Sequence, residues 1–294
     1  IIIVDSINKI NDNKILKKCN YKFSIDYKEN KKKIKDRLKN IDIDIIFHIG
    51  ANTNVLDTDL DNILKTNFDS SKFWYELSDI FNCGFIYASS SAVYGDSRDS
   101  SVIKNQINPL NEYALSKSLL DNYMQYNIQT NKINKKIIGF RFFNVFGLGE
   151  NHKNKNASIP FRFFNFMLND GIIEIFDENI QRDYVYVNDV VKVLFLAYLN
   201  NFSSGIYNLG SGEVISHMQI AEMVLAKTNL YNSISKFDNF SIIKIEMPKT
   251  LKNKFQFYTK ALELESWIQI ETQGSMDKMN NYIDNLFKEK LGQN

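Results

Sequence analysis

The chain has 294 residues, a net charge of +2 and 44% hydrophobic residues, enough to bury the core of one large or two modest domains. The small charge and the absence of a long uncharged apolar run give no indication of a nucleic-acid or membrane partner. Two cysteines cannot form a disulfide framework, so we expect a cytoplasmic protein. The three histidines do not cluster with carboxylates, and we expect no metal site.

Hydrophobic runs and helical patterns alternate through the first half of the chain. Strands are predicted near residues 1–4, 43–49, 85–89 and 136–142, and helices near 31–39, 63–80 and 110–126. Strands that alternate with helices of this length indicate right-handed crossover connections. The fold class is therefore predicted to be α/β, with a Rossmann-like, doubly wound parallel sheet. A further strand near 205–210 and an amphipathic helix near 276–287 follow.

The motif with the clearest chemistry is Tyr113-Ala-Leu-Ser-Lys117, which follows a serine-rich strand end containing Ser90. A tyrosine and a lysine four residues apart lie on one face of a helix. An ammonium about 4 Å from the phenol is worth about 4 kcal/mol, and together with an oxidised nicotinamide it is expected to bring the pKa of Tyr113 close to 7. The motif predicts proton transfer beside a nicotinamide, with the Ser90 hydroxyl holding the substrate oxygen.

Acidic and small residues at the strand ends indicate where a dinucleotide lies. Asp5 ends the first predicted strand and can accept hydrogen bonds from an adenosine ribose; a helix-capping acid is the alternative. Gly50 and Ala51 end the next strand and let a backbone approach the cofactor closely. Asp5 favours a free 2′-hydroxyl, whereas Lys9 and Lys14 suit a 2′-phosphate, so both NADP and NAD remain open.

A third block of interest begins at Arg182, ahead of a predicted strand. A guanidinium at this point can hold a diphosphate through two parallel hydrogen bonds, and a surface ion pair with Asp183 is the alternative. His48 lies in an apolar strand and is interpreted as a hydrogen-bonded core histidine rather than a ligand.

These residues resemble the extended short-chain dehydrogenase/reductase family. The resemblance runs from residue 1 to the C-terminal helix, and it rests on the segments 4–6, 46–51, 64–67, 87–95, 113–117, 140–147, 152–158 and 182–187. Within this family, Lys153 with Ala157-Ser158 is similar to the branch that epimerises heptoses. A 4-epimerase of the same family needs only the tyrosine, and a dehydratase needs an extra acid beside the serines; both remain alternatives.

The resemblance implies an oxidation and reduction at the 6-position of an ADP-linked heptose by bound NADP. Tyr113 and Lys153 match two bases, Lys117 the residue that holds the nicotinamide ribose, and Ser90 the serine that aligns the substrate. For the cofactor the matching residues are Asp5, Ser6, Lys14, Ile49, Gly50, Ala51, Asn67, Lys117, Val145 and Lys153. For the substrate they are Ser90, Asn144, Lys155, Arg162, Phe176, Arg182 and Phe255.

Departures from the family pattern loosen these assignments. Lys155 stands where the family has a serine, Arg162 where it has a histidine and Phe255 where it has a tyrosine. The largest departure is at the start, because no Gly-x-x-Gly-x-x-Gly turn precedes Gly50. In a sheet of the typical order 3-2-1-4-5-6 the first strand is central, so we expect the strands near 1–4 and 43–49 to face a gap or to pair in a new register. We expect the chain to be the remainder of a longer protein that folds or binds cofactor poorly by itself, and an inactive remnant is the alternative.

The resemblance also implies an organisation into two parts. The cofactor domain is predicted over 1–144, with returns near 184–212 and 246–260, and a smaller α/β substrate domain over 145–183, 213–245 and 261–294. A homo-oligomer, specifically a pentamer, in the bacterial cytoplasm is implied as well, together with a supply of heptose for the lipopolysaccharide core.

Overall fold

The computed structural model describes residues 1–12, 16–97, 100–102, 106–130, 135–231, 237 and 239–292. The strands are β1 Ile2–Asp5, β2 Phe23–Asp26, β3 Ile45–His48, β4 Gly84–Ser90, β5 Ile137–Phe142, β6 Asn144–Phe146, β7 Ile172–Phe176, β8 Gln181–Tyr186, β9 Gly205–Leu209, β10 Val214–Ser216 and β11 Ser241–Ile245. The helices are α1 Ile7–Asp12, α2 Lys31–Leu38, α3 Leu60–Leu64, α4 Ser70–Ile80, α5 Glu112–Thr130, α6 Ile159–Asp170, α7 Val187–Leu199, α8 His217–Leu230, α9 Lys249–Lys252, α10 Ser266–Thr272 and α11 Ser275–Leu291. A π-helical turn over Lys65–Asp69 joins α3 to α4.

The main sheet contains four parallel strands in the order β3-β4-β5-β9. Helices α3 to α5 connect its first strands and pack against them, which is the arrangement expected when parallel strands are joined by crossover helices. The predicted α/β class with a parallel sheet is therefore confirmed. The strand ends that carry Ser90 and Phe142 lie side by side in this sheet, so the segments after β4 and after β5 emerge at the same edge.

The two strands nearest the start of the chain do not pair with each other. Among the described residues, β1 pairs with β2 and β3 pairs with β4, and nothing pairs with their other edges. Of the two outcomes expected from the sequence, the gap is therefore the one found. The predicted burial of both strands is wrong in part: Val4 is 37% and Phe47 39% exposed, because each strand has a neighbour on one side only.

The second half of the chain builds two smaller sheets. One is mixed, with β8 parallel to β6 and antiparallel to β10, and the other is the parallel pair β7-β11. Their apolar faces pack with α6, α8 and α11 around one core, which includes Phe146, Phe164, Met167, Ile283 and Phe287. The division of the chain into two domains stays a prediction. Strand β6 leads from the main sheet directly into the loop that carries Lys153.

Candidate active site

Ser90 and Tyr113 meet at the carboxyl edge of the main sheet. Ser90 is the last residue of β4 and Tyr113 lies in the first turn of α5. The Ser90 hydroxyl lies close enough to the Tyr113 phenol to lower its pKa. The Ser90 hydroxyl also accepts the N–H of Ala92 at 3.2 Å, so its orientation is fixed from the protein side. The spacing of the two motifs thus brings together the serine and the tyrosine that the sequence singled out.

Lys117 lies one turn further along α5 and is 1% exposed. Its ammonium donates a hydrogen bond of 2.7 Å to the carbonyl oxygen of Ala88 on β4. Burial lowers the pKa of Lys117 to about 8, and the carboxylate of Asp121 opposes this change. A buried ammonium whose pKa is lowered in this way is well suited to influence a neighbouring proton transfer.

The expectation that Lys117 and an oxidised nicotinamide together bring the pKa of Tyr113 close to 7 stays a prediction, and the protein chain by itself does not lower this pKa. Burial raises the pKa of the Tyr113 phenol above its usual value, and the nearby Ser90 hydroxyl lowers it only in part. Desolvation disfavours the charged phenolate, and the Lys117 ammonium is engaged with Ala88. A further positive charge at the site is required before Tyr113 can act as a base near neutral pH.

The loop after β3 is tied to helix α5 by Asn67. The Asn67 side chain accepts the N–H of Asn52 at 2.8 Å and donates to the carbonyl of Asn52 and to the hydroxyl of Ser116. Its polar atoms are therefore all used within the protein, and its predicted contact with the cofactor stays a prediction. Asn67 thereby holds the segment after Gly50 against the helix that carries Tyr113.

The residues predicted to hold the cofactor fit a dinucleotide in part. Asp5 ends β1, and its carboxylate accepts the N–H of Ser6 at 2.7 Å. No atom lies within 4 Å of the place where a Cβ would stand on Gly50, and Ile49 is 39% exposed, so a ligand can approach this backbone. Ala51, which follows β3, and Val145, which lies in β6, are half-buried. Lys14 lies outside the described residues. The ribose positions have candidate residues, but helix α1 begins at Ile7 without a glycine-rich phosphate turn.

Arg182 has an unsatisfied guanidinium. It is 7% exposed, its Nη1 has no hydrogen-bond partner, and burial lowers its pKa to about 10. The guanidinium carbon lies 4.9 Å from the centre of the Phe255 ring, which in turn contacts Phe176 at 6.3 Å. A buried donor with no partner indicates a ligand acceptor, which fits the predicted role on a diphosphate.

The alternative interpretation of Arg182, a surface ion pair with Asp183, is wrong. Asp183 is fully buried and points to the other side of β8, since neighbouring residues of a strand face opposite sides. Its carboxylate accepts the N–H groups of Ser211, Gly212 and Ala261 at 2.7–2.9 Å. Asp183 therefore fastens two later segments to β8 and leaves Arg182 available.

Two residues near Arg182 were missed by sequence reasoning. Tyr184 lies two residues along β8 on the same face, is 1% exposed, and its hydroxyl has no hydrogen-bond partner. His217 at the start of α8 is buried, and burial, followed by the charges of Arg182 and Arg162, lowers its pKa to about 3. Residues two apart in a strand lie on the same face, and this spacing from Arg182 was the one local signal that could have identified Tyr184.

The remaining predicted residues occupy the segment after β5. The Asn144 amide donates a hydrogen bond of 2.9 Å to the carbonyl oxygen of Asp183, so it links β6 to β8. The Lys153 ammonium lies 3.7 Å from Glu150 and the side chain is 42% exposed. Arg162 on α6 is half-buried, with its guanidinium 5.7 Å from the Phe166 ring. The side chain of Lys155 lies outside the described part of the structure.

Replacing Tyr184 with phenylalanine is expected to stabilise the protein without ligand. A buried hydroxyl without a partner costs about 1–3 kcal/mol, and the substitution removes it with little change of volume. We expect the free energy of unfolding to rise by about 1 kcal/mol in urea denaturation. Tyr282→Phe is the matched control: its hydroxyl donates to Glu150 at 3.2 Å, so its loss should destabilise. A destabilised Tyr184→Phe variant would show that the hydroxyl has a partner in the protein.

Acidification is expected to destabilise the protein through His217. Its pKa is about 3 in the folded state against 6.5 in the unfolded chain, so below pH 6.5 the unfolded state binds one more proton. The free energy of unfolding is therefore highest above pH 6.5 and decreases as the pH falls, by about 2 kcal/mol between pH 6.5 and 5. Urea denaturation at both pH values should show this loss reduced in His217→Gln. The exposed His152→Gln serves as control, and an equal pH dependence in wild type and His217→Gln would contradict the prediction.

A parallel sheet with a serine at one strand end, and a tyrosine and lysine on the following helix, defines an extended short-chain dehydrogenase/reductase. A family model described as "NAD dependent epimerase/dehydratase family" matches residues 8–210, and the chain belongs to this family. Membership carries with it a nicotinamide cofactor.

Two curated relatives are similar over most of the chain. The ADP-L-glycero-D-manno-heptose-6-epimerase of Brachyspira hyodysenteriae is 33% identical over 266 residues, 89% of this chain and 80% of that protein. The enzyme of the same name from Fusobacterium nucleatum is 32% identical over 276 residues, 89% of this chain and 81% of that protein. Among solved structures, UDP-N-acetylglucosamine 4-epimerase from Methanobrevibacter ruminantium has the same fold, with a TM-score of 0.77 at 21% identity over 100% of this chain and 91% of that one.

The part of the chain that the structure describes contains neither a membrane-spanning helix nor a cluster of metal ligands. No helix there is long and apolar enough to span a membrane. No group of three or more histidine, cysteine or acidic side chains is arranged there to hold a metal ion.

Proposed function

We propose that this protein is a nucleotide-sugar epimerase that converts ADP-D-glycero-D-manno-heptose to ADP-L-glycero-D-manno-heptose with bound NADP. The observation that carries the proposal is the close approach of Ser90 and Tyr113 at the end of β4, with buried Lys117 one turn along the same helix and Lys153 on the loop after β6. The names of the two curated relatives support the choice of substrate.

The chemistry has two proton transfers on opposite faces of the sugar carbon. A bound nicotinamide would supply the redox chemistry, by taking up a hydride from the 6-position and returning it to the other face of the carbon. Tyr113 takes the hydroxyl proton of one epimer, and Lys153 gives a proton to the oxygen when the other epimer forms. Ser90 donates a hydrogen bond to the sugar oxygen and keeps it close to Tyr113. Two bases are needed because the two epimers carry their hydroxyl groups on different sides.

The proposed contact with the substrate diphosphate rests on one unpaired donor. The free Nη1 of Arg182 is assigned to the diphosphate of the substrate, with Phe255 and Phe176 against the adenosine or sugar part. Asp5, Ser6, Lys14, Ile49, Gly50 and Ala51 are assigned to the cofactor, and Lys9 and Lys14 favour NADP over NAD. A homo-oligomer in the bacterial cytoplasm, with a pentamer as the expected form, completes the proposal.

The first experiment is to purify the chain, denature it, and identify the released nucleotide by mass and absorbance. NADP near one molecule per chain supports the proposal, and NAD would correct the cofactor. Epimerisation of ADP-D-glycero-D-manno-heptose is then followed by chromatographic separation of the two epimers, with UDP-glucose as the control substrate for a 4-epimerase. A protein without nucleotide and without turnover would contradict the proposal and favour the inactive remnant.

A further inference from the structure

Glu150 is a buried carboxylate on the loop between β6 and α6, and it is 3% exposed. Its Oε1 accepts hydrogen bonds from the Gly147 N–H at 3.2 Å, the Ser158 hydroxyl at 2.7 Å and the Tyr282 hydroxyl at 3.2 Å. Its Oε2 accepts the Ser158 N–H at 2.7 Å and lies 3.7 Å from the ammonium of Lys153. One side chain thus contacts both ends of the loop, the C-terminal helix and the proposed second base.

Only a carboxylate can satisfy this set of donors. An ionised carboxylate offers two oxygens with about four lone-pair sites and no hydrogen of its own. The amide of a glutamine has one oxygen, and its NH₂ group would face either the Ser158 N–H or the Gly147 N–H, both of which are donors. Loss of the charge would also remove the attraction to Lys153, which is stronger at a buried carboxylate than in water.

Backbone contacts also fix the position of Lys153 relative to Glu150. The Lys153 N–H donates a hydrogen bond of 2.9 Å to the Glu150 carbonyl oxygen, and this bond closes a single helical turn between the two residues. At the start of the loop, Gly147 has φ +151°, and a Cβ there would lie 2.3 Å from Val187 Cγ1. The loop therefore leaves β6 by one defined route, and its end is fixed at Ser158, directly before α6.

We infer that Glu150 is the positioning residue for Lys153: it fixes the loop of residues 147–158 and holds the Lys153 ammonium in one place by ion pairing. The inference rests on the proposed function, in which Lys153 is the second base. A proton-transfer group on a loop contributes fully only when its position is set within a fraction of an ångström, and displacement by about 1 Å can cost about 100-fold in rate.

The first test is a double-mutant cycle between Glu150→Gln and Lys153→Met. We expect Glu150→Gln alone to lower kcat by about 10- to 100-fold and to change KM by no more than about twofold. In the Lys153→Met background the same substitution should change kcat by less than about twofold, since its effect acts through Lys153. Equal losses in both backgrounds would overturn the inference and assign Glu150 a general structural role.

The second test does not depend on turnover. Trypsin cleaves after Lys153, and the rate reports how often the loop opens. We expect Glu150→Gln to accelerate this cleavage by at least about fivefold, whereas Glu213→Gln, which accepts the N–H groups of Gly274 and Met276, should leave it unchanged. An unchanged rate in Glu150→Gln would overturn the inference. A wild-type protein without epimerase activity would instead reject the proposed function, and the cleavage rates would still decide whether Glu150 fixes the loop.

Discussion

Replacing Tyr113 with phenylalanine is expected to lower the rate of epimerisation by at least about 100-fold, because a general base of this kind contributes about 10²- to 10⁴-fold. Phenylalanine keeps the ring at the start of α5 and removes the hydroxyl whose pKa is lowered by Ser90. The nearby Lys117 ammonium is engaged with the carbonyl oxygen of Ala88, so it cannot replace the phenol. The rate is measured with ADP-D-glycero-D-manno-heptose under saturating substrate.

The matched control is Tyr126→Phe. Tyr126 belongs to the same helix but is 65% exposed, so the loss of its hydroxyl should leave both rate and stability within experimental error. Nucleotide content is compared in all three proteins to show that the cofactor is bound equally. A Tyr113→Phe variant that keeps more than about a tenth of the activity would contradict the assignment of Tyr113 as a base.

Local patterns in the sequence were sufficient to predict the parallel sheet and the pairing of Ser90 with Tyr113. Both follow from short-range rules: hydrophobic runs that alternate with helices, and a tyrosine and lysine four residues apart. The helix predicted near 110–126 is α5 over Glu112–Thr130, and the strand predicted near 136–142 is β5 over Ile137–Phe142. Strand β2 was not predicted, since its alternation of apolar and polar residues extends over only four residues, Phe23–Asp26, which is too short to distinguish it from a loop.

Properties that depend on distant contacts were beyond a local interpretation. In the protein chain by itself the pKa of Tyr113 is raised, because desolvation comes from the whole surroundings of the phenol and spacing along the helix does not reveal it. An ion pair between Asp183 and Arg182 was the alternative because the two are adjacent, whereas the partners of Asp183 lie near residues 211 and 261. Glu150 was overlooked for the same reason, since Tyr282 reaches it from the C-terminal helix.

The buried ion pair between Arg141 and Asp121 should have the largest effect on stability. Arg141 lies on β5 and Asp121 on α5, both are 1% exposed, and Nε donates to Oδ2 at 2.8 Å. The Arg141 guanidinium also donates to the Tyr94 hydroxyl at 3.0 Å, and the Tyr87 hydroxyl donates to Asp121 at 3.1 Å. The pair therefore joins the helix that carries Tyr113 to the strand beside Ser90.

Replacing Arg141 with methionine is expected to lower the free energy of unfolding by about 3–5 kcal/mol, because it leaves the Asp121 carboxylate buried without its guanidinium partner. Urea denaturation measures this loss. Lys192→Met is the control: its side chain is 61% exposed and 3.6 Å from Glu271, and an exposed pair of this kind is worth less than about 1 kcal/mol. An effect of Arg141→Met no larger than that of the control would contradict the prediction.

The double variant Arg141→Met/Asp121→Leu separates stability from chemistry. Removing both charges together avoids an unpaired buried ion and should recover much of the stability lost in Arg141→Met. Asp121 lies one helical turn from Lys117, and its carboxylate opposes the lowering of the Lys117 pKa by burial. Without it the Lys117 ammonium loses its proton at lower pH, so the double variant is expected to be folded but to lose activity as the pH rises toward 8. Recovery of both stability and the wild-type pH profile would show that the pair serves packing alone.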